Sequence, residues 1–291
     1  MVGIIANPAS GKDIRRLVAF GSVYDNREKI NCLSRILRGL DALGIRQVSA
    51  LAEPYGLVIQ ARDQAQVGLR VELLEMPMTR TAQDSTEAAR LMSAQGVACI
   101  ITLGGDGTNR AVAKGCGPAP LLPISTGTNN VFPTMIEGTL AGLAAAAVAL
   151  KVKGIQEAIR PTPCLEILKG GQVIDIALVD VVVYDEVFVA SRAIWDANKI
   201  LSVILAQVKP STLGASGIAN CLPDSRPAGE GGIYIEVGGP GPLALAPIAP
   251  GMVVPIPIRS VSPLAVGQSV TIRQAPAVLA LDGEREVPLH P

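Results

Sequence analysis

Three short glycine-bearing segments hold most of the chemistry open to this sequence. They are Asn7-Pro8-Ala9-Ser10-Gly11-Lys12-Asp13, Gly104-Gly105-Asp106-Gly107-Thr108-Asn109 and Ser125-Thr126-Gly127-Thr128-Asn129-Asn130. Each follows an apolar run that reads as a strand: Val2–Ala6, Val97–Leu103 and Leu121–Ser125. In an open parallel sheet, every strand delivers its following turn to the carboxyl edge, where ligands bind. Glycine lets the backbone approach an anion, and amides at the start of the next helix point at it. Three such turns on one edge read as a polyphosphate cradle. Asp106 is the acid within it. Glycines on both sides leave its carboxylate uncrowded, able to take a proton from an attacking hydroxyl or to bind a Mg²⁺ that bridges phosphates. The other reading of Asp106 is a helix cap.

The first turn is not a P-loop, which would need glycine at position 6 and serine or threonine at position 13, where Ala6 and Asp13 stand. It also lacks the Gly-x-Gly-x-x-Gly of dehydrogenases. Lys12 either reaches a phosphate oxygen or opens a surface helix with Asp13.

Composition narrows the alternatives. The chain has 291 residues, 49% hydrophobic and 17% charged, with 25 basic and 25 acidic side chains. That length can bury a large core, and global disorder is excluded. A net charge of zero and 3% aromatics argue against a nucleic-acid partner. His290 is the single histidine, so no Ser-His-Asp triad, Cys-His dyad or two-histidine metal site can form within one chain. The five cysteines, Cys32, Cys99, Cys116, Cys164 and Cys221, have no redox or metal spacing. Cys116, with no histidine to activate it, reads as inert. The N-terminus reads as a strand, and the apolar stretch from Gly138 to Val152 is too short to span a bilayer. A cytoplasmic protein without a membrane partner is expected.

Elements that could position the three turns follow from periodicity. Helices are expected at Arg27–Leu43, Tyr55–Ala65, Thr81–Gln95, Thr108–Lys114 and Thr139–Lys153, and further strands at Arg46–Ala50 and Arg70–Met76. Strands alternating with helices imply a three-layer α/β domain with a parallel sheet. The Ala144–Ala147 run suits close helix packing. Beyond Arg160-Pro161-Thr162-Pro163 the character changes: 13 of the 22 prolines lie at or after Pro210. Short runs at Cys164–Leu168, Val173–Tyr184, Gly232–Val237, Met252–Pro255, Ser269–Arg273 and Ala277–Leu281 suggest a β-rich, sandwich-like domain. The expected division is residues 1–158 and 159–291, with the active site in the cleft between them.

Gly104-Gly105-Asp106-Gly107-Thr108 resembles the signature of the NAD kinase/diacylglycerol kinase superfamily, and Asn7-Pro8 with Ser10-Gly11 resembles its opening loop. The fuller run to Asp13 resembles the ATP–NAD kinase-like branch named for acetoin-catabolism protein X. The resemblance is strong over residues 1–135 and looser beyond Pro161. It implies phosphoryl transfer from ATP, with Mg²⁺, to a hydroxyl, which in NAD kinases is the 2′-OH of the adenosine ribose of NAD(H). It assigns the catalytic role to Asp106. It assigns donor binding to Asn7, Ser10, Gly11, Lys12, Gly104, Gly105, Gly107, Thr108, Gly127, Thr128 and Asn129.

On the acceptor side the resemblance points to Asn130, Asp185 and Glu186, and to Ser211 and Thr212 in a Pro- and Ser/Thr-rich segment. Asp185 stands where NAD kinases have asparagine, and an acid there loses a donor and adds charge. Leu281-Asp282-Gly283-Glu284 resembles the Asp-Gly-Glu of lipid kinases, giving Asp282 and Glu284. Asp-Gly is equally a hairpin turn. Arg192 either pairs with Glu186 or is solvated, and Trp195 is either core or a stacking surface. Three functions stay open: an NAD(H) kinase, a kinase of another hydroxyl compound or lipid, and a nucleotide sensor without turnover. Homo-oligomers are common among such enzymes.

Overall fold

The computed structural model describes residues 1–11, 24–127, 129–186, 196–209, 212–222 and 231–290, without the side chains of residues 285 and 286. The chain forms two compact units, one running to Pro161 and the other from Thr162, with Asn129–Phe132 counted in the second.

The first unit begins with β1 (Val2–Ala6), α1 (Asn26–Ala42), β2 (Gln47–Ala50) and α2 (Leu57–Ala65). It continues through β3 (Arg70–Leu73), α3 (Ala82–Ala94), β4 (Ile100–Gly104), α4 (Asp106–Ala113), β5 (Leu121–Ser125) and α5 (Gly138–Ala149). Caps fix several helix starts: Asp25 accepts from the Glu28 amide at 2.8 Å, and Thr81 from the Gln83 amide at 3.2 Å. The five strands are all parallel in the order β3-β2-β1-β4-β5.

The strands are apolar on both faces because helices cover both. Ile4 and Ile101 share a core with α1, α2 and α5, while Ile5 and Ile100 share one with α3 and α4. This is the expected three-layer α/β arrangement. Glycines set one helix contact: a Cβ on Gly142 would lie 2.2 Å from the Ile36 carbonyl oxygen, and one on Gly39 would lie 2.6 Å from that of Thr139. Close approach of α1 and α5 therefore rests on these glycines as well as on the alanines.

In the second unit, β6 (Leu165–Lys169) and β7 (Gln172–Ala177) form an antiparallel hairpin. A seven-stranded antiparallel sheet has the order β11-β12-β10-β9-β8-β13-β14. Its strands are β8 (Asp180–Tyr184), β9 (Ile200–Leu205), β10 (Gly231–Val237), β11 (Leu243–Ala249), β12 (Met252–Ala265), β13 (Ala277–Leu281) and β14 (Glu284–Leu289). The short helix α6 (Ala215–Asn220) packs its Ile218 and Ala219 into a core with Val182, Val203 and Ile256. The opposite sheet face, including Val181, Val183 and Leu279, shares a second core with Ile167 and Ala177 of the hairpin. Cores on both faces make the unit layered and β-rich.

Several expected strands change. The run Val173–Tyr184 is two strands broken at Leu178-Val179. Ser269–Arg273 joins no ladder, although Val270 and Ile272 pack against the second core. β12 extends ten residues beyond Pro255, and its prolines Pro255, Pro257 and Pro263 lie in paired positions.

Candidate functional site

The site is built at the carboxyl ends of β1, β4 and β5, three neighbours in one parallel sheet. From β1 the chain turns to β2 and β3 on one side; β4 and β5 lie on the other. The order therefore reverses between β1 and β4, where open α/β sheets place their ligands.

The β4 turn is held from beneath. Gly104 closes the strand, and a Cβ there would lie 2.6 Å from Thr108 Cβ and Oγ1. Gly105 occupies the cap position of α4 and brings no side chain to it. Asp106 is thus not the cap residue; it stands in the first turn, half-buried, where the helix dipole favours a negative charge. Asn109, fully buried, accepts a hydrogen bond from Thr102 Oγ1 and donates through Nδ2 to the Gly105 carbonyl at 2.9 Å. It ties strand, turn and helix together and fixes where Asp106 emerges.

The other two turns are bonded to this frame. Asn7 Nδ2 donates to Thr108 Oγ1 at 2.8 Å, while Asn7 Oδ1 accepts from the Ala9 amide at 2.9 Å. Ser10 Oγ donates to the Asn7 carbonyl at 2.7 Å, and Thr126 Oγ1 donates to Ser10 Oγ at 3.0 Å. Hydrogen bonds between side chains thus join the three turns. Gly11 has φ +75°, a left-handed conformation that favours glycine. Beneath the first turn lies Lys29 of α1, 0% exposed. Its Nζ donates to the Pro8 carbonyl at 3.0 Å, the Ser10 carbonyl at 2.7 Å and Asn26 Oδ1 at 3.2 Å.

Two family models match the chain: the ATP-NAD kinase N-terminal domain over residues 2–150, and the acetoin catabolism protein X C-terminal domain over residues 163–291. Acetoin catabolism protein X of Cupriavidus necator is 39% identical over 305 residues, an alignment that covers 100% of this chain and 85% of that protein. The chain belongs to the acetoin catabolism protein X branch of the ATP–NAD kinase family. Its first unit carries the kinase-type domain, which points to an ATP-dependent kinase, and the three turns lie inside it.

Asn7, Ser10, Gly11, Gly104, Gly105, Asp106, Gly107, Thr108 and Gly127 all belong to the three turns of the first unit. Lys12, Thr128, Arg192, Trp195 and Ser211 lie outside the described residues. Asn129 and Asn130, both half-buried, count with the second unit. There Lys209 donates to the carbonyls of Val131 at 2.7 Å and Phe132 at 3.3 Å. Asp185 is exposed, and Glu186 pairs with Lys199 at 2.8 Å. Thr212 makes local bonds, donating to the Lys209 carbonyl at 3.1 Å and accepting from Asn220 at 2.9 Å.

Asp282 lies in the second unit, at the turn between β13 and β14. It is 7% exposed, and its carboxylate accepts from the amides of Leu178 at 3.0 Å, Val179 at 2.8 Å and Asp180 at 3.2 Å. With φ +52° at Asp282 and +80° at Gly283, the segment is a tight hairpin turn between β13 and β14. A carboxylate that accepts from three backbone donors clamps the break between β7 and β8. Glu284 opens β14, half-buried.

Lys29, Asn109 and Thr126 are the site-building residues that sequence reasoning missed. Asn109 and Thr126 were signalled by lying inside the polar turns; Lys29 had no such signal. Burial raises the thiol pKa of Cys32 and Cys116, and pushes Cys99 up to about 12. These three are therefore poor nucleophiles near neutral pH. Among the described residues, no helix is long and apolar enough to cross a membrane.

Proposed function

We propose that the protein is an ATP-dependent phosphotransferase that phosphorylates a hydroxyl, with the 2′-OH of the adenosine ribose of NAD(H) as the favoured acceptor. The observation that carries this is the joining of three turns by hydrogen bonds around the first turn of α4, with Asp106 in it. Helix-start amides and glycine turns would receive the donor phosphates. Asp106 would orient the acceptor hydroxyl and take its proton late in the transfer. The phosphoryl group passes from the terminal phosphate to that oxygen, and ADP leaves. An ordinary carboxylate suffices, because a loose transition state is governed by positioning and charge neutralisation.

The donor set fits a metal carried by the nucleotide. No group of three potential ligands occurs among the described residues, and Mg²⁺ characteristically takes one or two carboxylates plus substrate phosphates. Asp106 is the carboxylate that would hold it; the ion would neutralise charge on the transferring group. Asn130, Asp185, Glu186, Thr212 and Glu284 remain the acceptor-side candidates of the second unit, and Asn129 stays a donor-side candidate.

One observation favours a different hydroxyl acceptor. Asp185 brings an exposed acid where NAD kinases place an amide, and Glu186 is already engaged by Lys199. An acceptor screen with ATP and Mg²⁺, read by mass spectrometry, separates the readings. One added phosphate on NAD(H) supports the first, and one on another hydroxyl compound supports the second. MgATP binding with no transfer to any acceptor leaves the nucleotide sensor and ends the kinase reading.

A further inference from the structure

We infer that Lys29 is a positioning residue for the donor-phosphate site, acting through the first turn; the phosphate part of this rests on the function proposed above. Lysine is almost never fully buried, because desolvating an ammonium is costly. An apolar side chain of similar length would fill the space at lower cost, so the hydrogen bonds account for the lysine better than its volume does.

Those bonds orient two peptide units. The ammonium draws the Pro8 and Ser10 carbonyls toward α1. In a trans peptide the following N–H points opposite to the carbonyl. The Ala9 and Gly11 amides are therefore turned away from Lys29. The Ala9 amide is spent on Asn7 Oδ1 at 2.9 Å, and the Ser10 amide on the Asn7 carbonyl at 3.3 Å. The Gly11 amide is directed to the side of the turn opposite Lys29, with φ +75°. Asn26, the third acceptor, lies in the first turn of α1, so the ammonium also links the turn to that helix start.

The test uses the full chain with Lys29→Met, and Lys29→Gln as a variant that keeps an amide donor. Hydrogen exchange gives a readout independent of activity. In Lys29→Met the Ala9 and Ser10 amides, both hydrogen-bonded within the turn, should exchange at least about tenfold faster, while the β1 amides stay protected. Calorimetry with MgATP should show affinity at least about tenfold weaker, with Lys29→Gln in between. Unchanged exchange at Ala9 and Ser10 would overturn the inference, as would wild-type MgATP affinity in folded Lys29→Met. If Lys29→Met does not fold, Lys29→Gln decides by the same two measurements. If the wild-type protein does not bind MgATP, the proposed function falls, and hydrogen exchange alone decides whether Lys29 orients the turn.

Discussion

Asp106 and Asp282 share a local sequence feature and have opposite surroundings. Each is followed by glycine at a tight turn, one entering a helix and the other joining two strands. Asp282 is buried, with three backbone amides on its carboxylate, so its charge stabilises a fold. Asp106 is half-buried at the edge of a parallel sheet, and neighbouring side chains (Asn109, Thr108, Asn7) hold the turn around it. An acid beside glycine is therefore ambiguous until its position relative to the sheet edge is known.

Substitution separates the two most sharply. Asp106→Asn should lower kcat by about 10²–10⁴-fold, the usual worth of a positioned acid–base group, with MgATP affinity within a few-fold of wild type. Asp282→Ala strands buried amides and should lower unfolding free energy by about 2–4 kcal/mol in urea titration, with kcat per folded molecule retained. If Asp282→Ala instead lost turnover without losing stability, the contrast would collapse. Gly104→Ala forces a methyl group onto Thr108 and should cost about 1–3 kcal/mol, seen as a lower Tm. Asn7→Ala removes the link to Thr108 and should cost about 1 kcal/mol, with a rise in KM for ATP. Smallest of all, alkylation of the exposed Cys164 and Cys221 at neutral pH should leave turnover unchanged, and buried Cys99 should react only after unfolding.

The contrast also marks how far the sequence could be read. The glycine turns were legible because each follows a continuous apolar strand, and the parallel sheet followed from strands alternating with helices. Lys29 was not, since the carbonyls it holds lie 19 and 21 residues away and leave no side-chain pattern. The clamp by Asp282 reaches amides 102 to 104 residues away, so the same Asp-Gly pair read equally as turn or ligand. Prolines hid the extent of β12. Their missing N–H groups argue against a strand, yet this one carries three of them in its ladders with β11 and β10.

Phosphate transfer from ATP labelled in its terminal phosphate tests the central claim most directly, with wild type and Asp106→Asn assayed side by side against a panel of hydroxyl acceptors. The account predicts label on one acceptor with wild type, and almost none with a folded, ATP-binding Asp106→Asn. Equal transfer by both proteins, or ATP binding by wild type with no labelled product anywhere in the panel, would contradict it.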